Sequence, residues 1–306
     1  MLIIGTRGSK LALTQASWVR DQIQRRFPEA ALEMRIIKTT ADRDQLMPLR
    51  SASRRGVFVK EIEEALIAGE IDLAVHSAKD LPSNLPDSLE ISVIPEREDA
   101  RDALLSAPEI TLVRQLPQGA LVGTGSIRRQ AQVLALRPDL RVTDIRGNVD
   151  TRLEKLRAGQ YAAIILACAG LNRLGLSGRI STRLDLSEML PAPGQGALAL
   201  ETRKDDARVR SLVSFLNHAA TAGAVHAERA FMRHIGGGCN SPVAVHACHE
   251  NGQLKIEGLA ATPDGSRIIR DSIFLSSPGQ AEQAAISLAD RILSKGGAEI
   301  LEPLRK

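Results

Sequence analysis

Ala120-Leu121-Val122-Gly123-Thr124-Gly125-Ser126-Ile127-Arg128-Arg129 decides the fold class of this chain. Residues 120–123 read as a strand, Thr124-Gly125-Ser126 turns, and a helix bearing Arg128 and Arg129 opens beyond. The same grammar recurs in both directions. Downstream, Leu140–Ile145 passes through Arg146-Gly147-Asn148 into a helix with Arg152, and the strand Tyr161–Cys168 is followed by Ala169-Gly170-Leu171-Asn172-Arg173. Upstream, residues 2–6 pass through Arg7-Gly8-Ser9 into a helix. Its Ala12, Ala16, Val19, Ile23 and Phe27 recur at spacings of four and three, marking one buried face. Ser9 sits where an N-cap belongs and Pro28 closes that helix. Leu32–Thr39 is a further strand and Val57–Ala68 a helix ended by Gly69. Ile71–His76 is apolar on both faces, as a central parallel strand requires.

Alternating strands and helices imply parallel sheets with helices on both faces. In such open sheets, ligands bind beyond the carboxyl ends of the strands. Arg7, Lys79, Asp80, Arg128, Arg129, Arg146, Arg152 and Arg173 all lie just past a predicted strand end. Any one of them is compatible with a plain surface charge; their shared topological position is the strongest physical signal in the sequence. Residues 41–55 show no sustained period, the mark of disorder or of a functional lid.

Beyond Pro191-Ala192-Pro193-Gly194-Gln195-Gly196 come one strand, Ala197–Glu201, and a helix around Ala224–His234. Then follows Gly236-Gly237-Gly238-Cys239-Asn240-Ser241-Pro242, a bare loop that delivers a single thiol. A reachable nucleophile and an inert buried cysteine are both open readings of Cys239. After it the grammar changes. Val243, Val245 and Ala247 alternate, Asn251-Gly252 is a hairpin signal, and Pro263-Asp264-Gly265 joins Leu254–Ala260 to Ile268–Leu275. A helix through Ala281, Ala284, Leu288 and Ile292 caps this three-stranded antiparallel meander.

With 306 residues the chain exceeds one ordinary core, so two or three domains are expected. No apolar run approaches the roughly 20 residues of a membrane helix. Three cysteines offer no disulfide framework, and a reducing cytosol fits best. The net charge of +4 raises the question of nucleic acid. Five Phe, one Trp and one Tyr give bases few rings to stack on, so nucleic acid is not expected. Arginines at particular turns suit discrete carboxylates or phosphates better. Gly123-Thr124-Gly125-Ser126-Ile127-Arg128 imitates a dinucleotide fingerprint, with Asp144 near the expected distance, but Arg128 takes the place of the third glycine. An anion site at a helix N-terminus is the reading kept. Cys239, His246, Cys248 and His249 match no zinc spacing, so no metal is expected. His76 reads as a satisfied buried imidazole.

Seven stretches together identify a resemblance. They are Gly-Thr-Arg-Gly-Ser-Lys-Leu-Ala-Leu (5–13), Val-Phe-Val-Lys-Glu (57–61), His-Ser-Ala-Lys-Asp-Leu-Pro (76–82) and Gly-Thr-Gly-Ser-Ile-Arg-Arg (123–129). Arg-Gly-Asn-Val-Asp-Thr-Arg-Leu (146–153), Pro-Ala-Pro-Gly-Gln-Gly-Ala (191–197) and Gly-Gly-Cys (237–239) complete the set. In this order, along nearly the whole chain, they resemble the porphobilinogen deaminase family, whose members are also called hydroxymethylbilane synthases. The resemblance implies an α/β protein of two periplasmic-binding-protein-like domains with mainly parallel sheets, plus a small α+β C-terminal domain with a three-stranded antiparallel sheet. The implied boundaries are 1–96 with 195–214, then 97–194, then 215–306.

It further implies a transferase that condenses four porphobilinogen molecules head to tail, releasing ammonia, on a dipyrromethane cofactor held by Cys239 through a thioether. By similarity, Asp80 binds pyrrole N–H groups and stabilises a cationic azafulvene-like species. At about 4 Å and an effective dielectric near 20 that attraction is roughly 4 kcal/mol, about a thousand-fold in rate if confined to the transition state. Lys79, Asp80, Ser126, Arg128 and Arg129 are the implied cofactor contacts. Arg7, Ser9, Arg146, Arg152 and Arg173 are the implied substrate contacts. Residues 41–55 become a lid, with Arg55 where the family often has lysine. A cytoplasmic monomer is expected. Gly236, Asn240-Ser241 and Pro193 depart from common family choices without removing a functional side chain. The rival class is a non-catalytic small-anion binder on a two-domain cleft; it accounts for the arginines but leaves Cys239 without a task.

Overall fold

The computed structural model describes residues 1–39, 59–236, 241–276 and 278–304. Cys239, Arg55 and the aperiodic stretch 41–55 lie outside these. The chain divides into two compact units, Met1–Glu98 with Gly196–Ala222, and Asp99–Gln195 with Gly223–Lys306.

The first unit opens with β1 (Leu2–Thr6), α1 (Lys10–Arg26) and β2 (Leu32–Ile36), then α2 (Lys60–Ile67), β3 (Leu73–Ser77) and β4 (Leu89–Val93). Ser9 caps α1 by accepting a hydrogen bond from the Ala12 amide at 3.3 Å. The predicted stripe Ala16, Val19 and Ile23 is fully buried, against Leu2 and Ile4 of β1 and Leu73 and Val75 of β3. The opposite face of β3, through Ala74, packs on Ile62, Ala65 and Leu66 of α2. Burial on both faces explains why β3 carries no alternation.

The second unit begins with β5 (Asp102–Ser106), β6 (Leu121–Gly123), α3 (Ile127–Leu136), β7 (Arg141–Thr143), α4 (Val149–Arg157), β8 (Ala163–Ala167), α5 (Cys168–Arg173) and β9 (Thr182–Arg183). The chain then re-enters the first unit as β10 (Leu198–Arg203) and α6 (Ala207–Val213). The strand orders are β2-β1-β3-β10-β4 and β7-β6-β8-β5-β9. The two sheets share one topology. In each, four strands run one way and a single strand, β10 or β5, is inserted against them. The expected pair of α/β layers is therefore present, each built on a mixed sheet.

After α7 (Ala219–Ile235) the meander β11 (Val243–Glu250), β12 (Gln253–Ala261) and β13 (Ile268–Leu275) forms an antiparallel sheet in the order β11-β12-β13. α8 (Ala281–Ile292) and α9 (Ala298–Leu301) follow. Phe231 and Ile235 of α7, Val245 and Ile256 of the sheet, and Leu288 and Ile292 of α8 share one fully buried core. The α+β expectation for this segment is met, with Ile268–Leu275 at the predicted bounds.

Candidate active site

In the first unit the chemistry gathers past β1 and β3, which run parallel as sheet neighbours. Arg7 leaves β1 and is half-buried, as is Ser9 at the cap of α1. β3 ends in a single tight turn, Ala78–Asp80, which puts Lys79 half-buried and Asp80 out in solvent. That turn is well anchored. The Ala78 amide donates to the Ala197 carbonyl at 3.0 Å, and Gln15 Nε2 donates to Ser77 Oγ at 3.0 Å.

In the second unit, three neighbouring parallel strands present their carboxyl ends together. Ser126, Arg128 and Arg129 follow β6, Arg146 and Arg152 follow β7, and Arg173 ends the helix after β8. Ser126 caps α3 by accepting from the Arg129 amide at 3.5 Å. Because β5 runs against its neighbours, its first residue, Asp102, arrives at this same edge, opposite Ala167. Its carboxylate is fully buried and takes both arginines. Arg128 Nη1 donates to Oδ2 at 2.7 Å, while Arg129 donates to Oδ1 from Nη2 at 2.7 Å and from Nε at 3.0 Å. Arg128 also donates to the Leu190 carbonyl and Arg129 to the Ile165 carbonyl. Gln195, fully buried, donates to Asp102 at 2.9 Å and to the Ala100 carbonyl at 2.7 Å.

Burial pulls the Asp102 carboxyl upward, but the two guanidiniums outweigh it and hold it well below the usual carboxylate range. Burial also lowers Arg128, against the attraction of Asp102. Arg152 is lowered to about 10 by burial and by the nearby Arg129 and Arg146, so it stays charged at neutral pH. Its Nε donates to the Gly147 carbonyl at 2.8 Å. Gly147 has φ of 103°, a conformation that glycine takes without strain. Arg146 is ion-paired with Asp144.

Two guanidiniums and one carboxylate leave a net charge of +1 in a buried setting. Arg128 Nε is buried there without an acceptor among the described residues. An unmatched charged donor at a helix N-terminus calls for an anion. A cofactor whose pyrroles carry acetate and propionate groups fits that demand.

Sequence reasoning put the arginines at the right edge but missed Asp102 and Gln195, which orient them. Gln195 stood inside a quoted motif. Asp102 ends the charged run Arg97–Asp102, which reads as ordinary surface.

Each unit is an α/β fold: in the first Asp80 stands exposed past β3, and in the second Arg128 and Arg129 stand past β6 around Asp102. A family model described as porphobilinogen deaminase, dipyromethane cofactor binding domain, matches residues 2–211, and a porphobilinogen deaminase C-terminal domain model matches residues 222–294. Porphobilinogen deaminase from Pelobacter propionicus is 48% identical over 98% of this chain and 96% of its own length. That from Thermus thermophilus is 48% identical over 100% of this chain and 99% of its own. Immunogenic lipoprotein A from Vibrio vulnificus, a solved structure, aligns at 13% identity with a TM-score of 0.44, over 72% of this chain and 96% of that one. The chain belongs to the porphobilinogen deaminase family. It condenses porphobilinogen to hydroxymethylbilane in tetrapyrrole synthesis and uses a dipyrromethane cofactor.

Proposed function

We propose that Cys239 carries the cofactor through a thioether, with Lys79, Ser126, Arg128 and Arg129 holding its carboxylates. When bound, the cofactor supplies the primer to which substrate rings are joined. Arg7, Ser9, Arg146, Arg152 and Arg173 bind the carboxylates of porphobilinogen and of the growing chain, as forked guanidiniums suit. Asp80 accepts pyrrole N–H groups and stabilises positive charge as the amine leaves. The observation that carries this reading is the buried Asp102–Arg128–Arg129 cluster with its net positive charge. Arg128 is 4% and Arg129 6% exposed, so in this reading they act mostly through their fixed charge, and Ser126 and Lys79 make the open contacts.

Cys168 is a poor rival to Cys239. It is fully buried, and burial pushes its thiol up to about 12, away from the thiolate a nucleophile needs. We assign three domains, 1–96 with 195–214, 97–194 and 215–306, supported by three separate sheets. We further assign a cytoplasmic monomer that does not engage nucleic acid. Among the described residues no helix is long and apolar enough to cross a membrane.

Intact mass tests the tether. The purified protein is expected to exceed its sequence mass by two condensed porphobilinogen units, and Cys239→Ser to lose the excess. Active protein with the bare sequence mass would overturn the assignment. Asp80→Ala is expected to cut ammonia release at least a hundred-fold with folding intact; an unchanged steady-state rate would remove Asp80 from catalysis.

A further inference from the structure

Behind the turn that carries Lys79 and Asp80 lies a cluster to which the proposed reaction assigns no task. His76, on β3 and 5% exposed, places Nε2 3.0 Å from Oε2 of Glu201, which is fully buried on β10. With Glu201 ionised, its oxygen accepts and Nε2 carries the hydrogen. The second oxygen of Glu201, Oε1, is buried without a hydrogen bond among the described residues. So is Oε1 of Glu63, on the helix packed over this face. Two buried carboxylate oxygens lacking donors on one face are costly unless a proton is shared there.

Among the described residues, α2 contributes Glu61, Glu63 and the Lys60–Glu64 pair. β10 adds Arg203, which is committed to Asp72 at 3.1 Å and Asp206 at 2.8 Å. Arg35 on β2 pairs with Glu33. Glu63 responds as expected: burial, then the charge of Glu201, lift its carboxyl to about 7, while His76 pulls the other way.

The clasp has a mechanical consequence. His76 lies opposite Ala199 in the β3–β10 register, and Glu201 lies two residues along β10. Their side chains bridge the strands on the α2 face, while Gln15 holds Ser77 on the α1 face. Both ties fall within four residues of Asp80.

We propose that the His76–Glu201 clasp, with Glu63 packed on the same face, forms a triad that positions Lys79 and Asp80 for condensation, His76 being the positioning residue. This rests on the reading of Asp80 given above. The proton held by Glu63 leaves Glu201 as the one carboxylate charge of the clasp. Its loss adds a second buried negative charge and loosens the strand end.

Two kinds of measurement decide it. The Glu63 side-chain carboxyl 13C resonance in the wild-type holoenzyme is expected to titrate close to pH 7, and titration between 4 and 5 would overturn the triad whatever the activity. Ammonia release measured from pH 6 to 9 is expected to show an inflection near 7 in kcat. Glu63→Gln should lose that inflection, with KM within two-fold of wild type and the cofactor mass retained. His76→Asn should lower kcat about ten-fold at unchanged KM and lose the inflection too. Superimposable profiles for Glu63→Gln and wild type would refute the positioning role. So would a His76→Asn enzyme that melts earlier but keeps wild-type kcat and pH profile. Asp80→Ala run alongside separates the readings: if it stays active, the role of Asp80 fails, and the 13C titration still judges the triad.

Discussion

Asp102 is a fully buried carboxylate and Glu63 a half-buried one, and they respond to pH with opposite sign. Asp102 has its pKa depressed in the folded state. Its stabilisation is present above the unfolded value of about 3.9 and is lost as pH falls toward the folded one. Asp102→Asn removes the counter-charge of two buried guanidiniums, a loss expected to cost about 3–5 kcal/mol, read from urea unfolding at pH 7. Glu63 has its pKa raised from 4.5 to about 7. Its contribution is fully present below 4.5 and is lost as pH rises through 7. Glu63→Gln should therefore flatten the decline in thermal midpoint across that window, an effect of about 1–3 kcal/mol after allowance for its partial exposure. Calorimetry at pH 5 and pH 8 checks it; equal declines in both proteins would be the contrary result.

At the scale of elements, the inserted antiparallel strand is the device that builds both units. β5 delivers Asp102 to Arg128 and Arg129, and β10 delivers Glu201 to His76. Local period could not reveal either insertion, because each pairs strands far apart in sequence. The alternation of strand and helix, the cap at Ser9 and the C-terminal meander were legible, since each is written in contiguous residues. β4, β5 and β9 were not, lying in a span rich in charges and prolines with little alternation. The site followed the same rule. Arginines past strand ends could be picked out one turn at a time, whereas Asp102 and Gln195 acquire meaning only once β5 lies beside β8.

Two element-scale substitutions test this packing. Ser126→Ala removes the cap of α3 and should cost about 1 kcal/mol. Gly265, at φ of 69° in the β12–β13 turn, is harsher. A Cβ there would overlap the Ala131 carbonyl oxygen and the Ala135 amide nitrogen, both backbone atoms that cannot swing aside. Gly265→Ala should destabilise by more than about 1 kcal/mol. Chemical denaturation of the two variants should rank them in that order.

For the whole molecule, Trp18 is the only tryptophan and sits on α1 in the first unit. Its fluorescence reports that unit, while far-UV circular dichroism also registers the three-stranded sheet and its helices in the second. With two units and, among the described residues, three sheets, the urea curves from the two probes are expected to separate, and coincident curves would instead indicate a single cooperative transition.

The late arrival of β10 also sets an order of events during synthesis. Leu198 emerges about a hundred residues after Val93, so at about 5–20 residues per second the ribosome holds the first sheet without its inner strand for roughly 5–20 s. During that time β3 and β4 each keep an unpaired edge, the kind that recruits foreign strands. In the sheet of β5 to β9 the wait is shorter, since β8 follows β5 by about sixty residues. The nascent protein is thus most vulnerable to misassembly in its earliest-made part, and it leaves that state only when residues 198–203 close the gap.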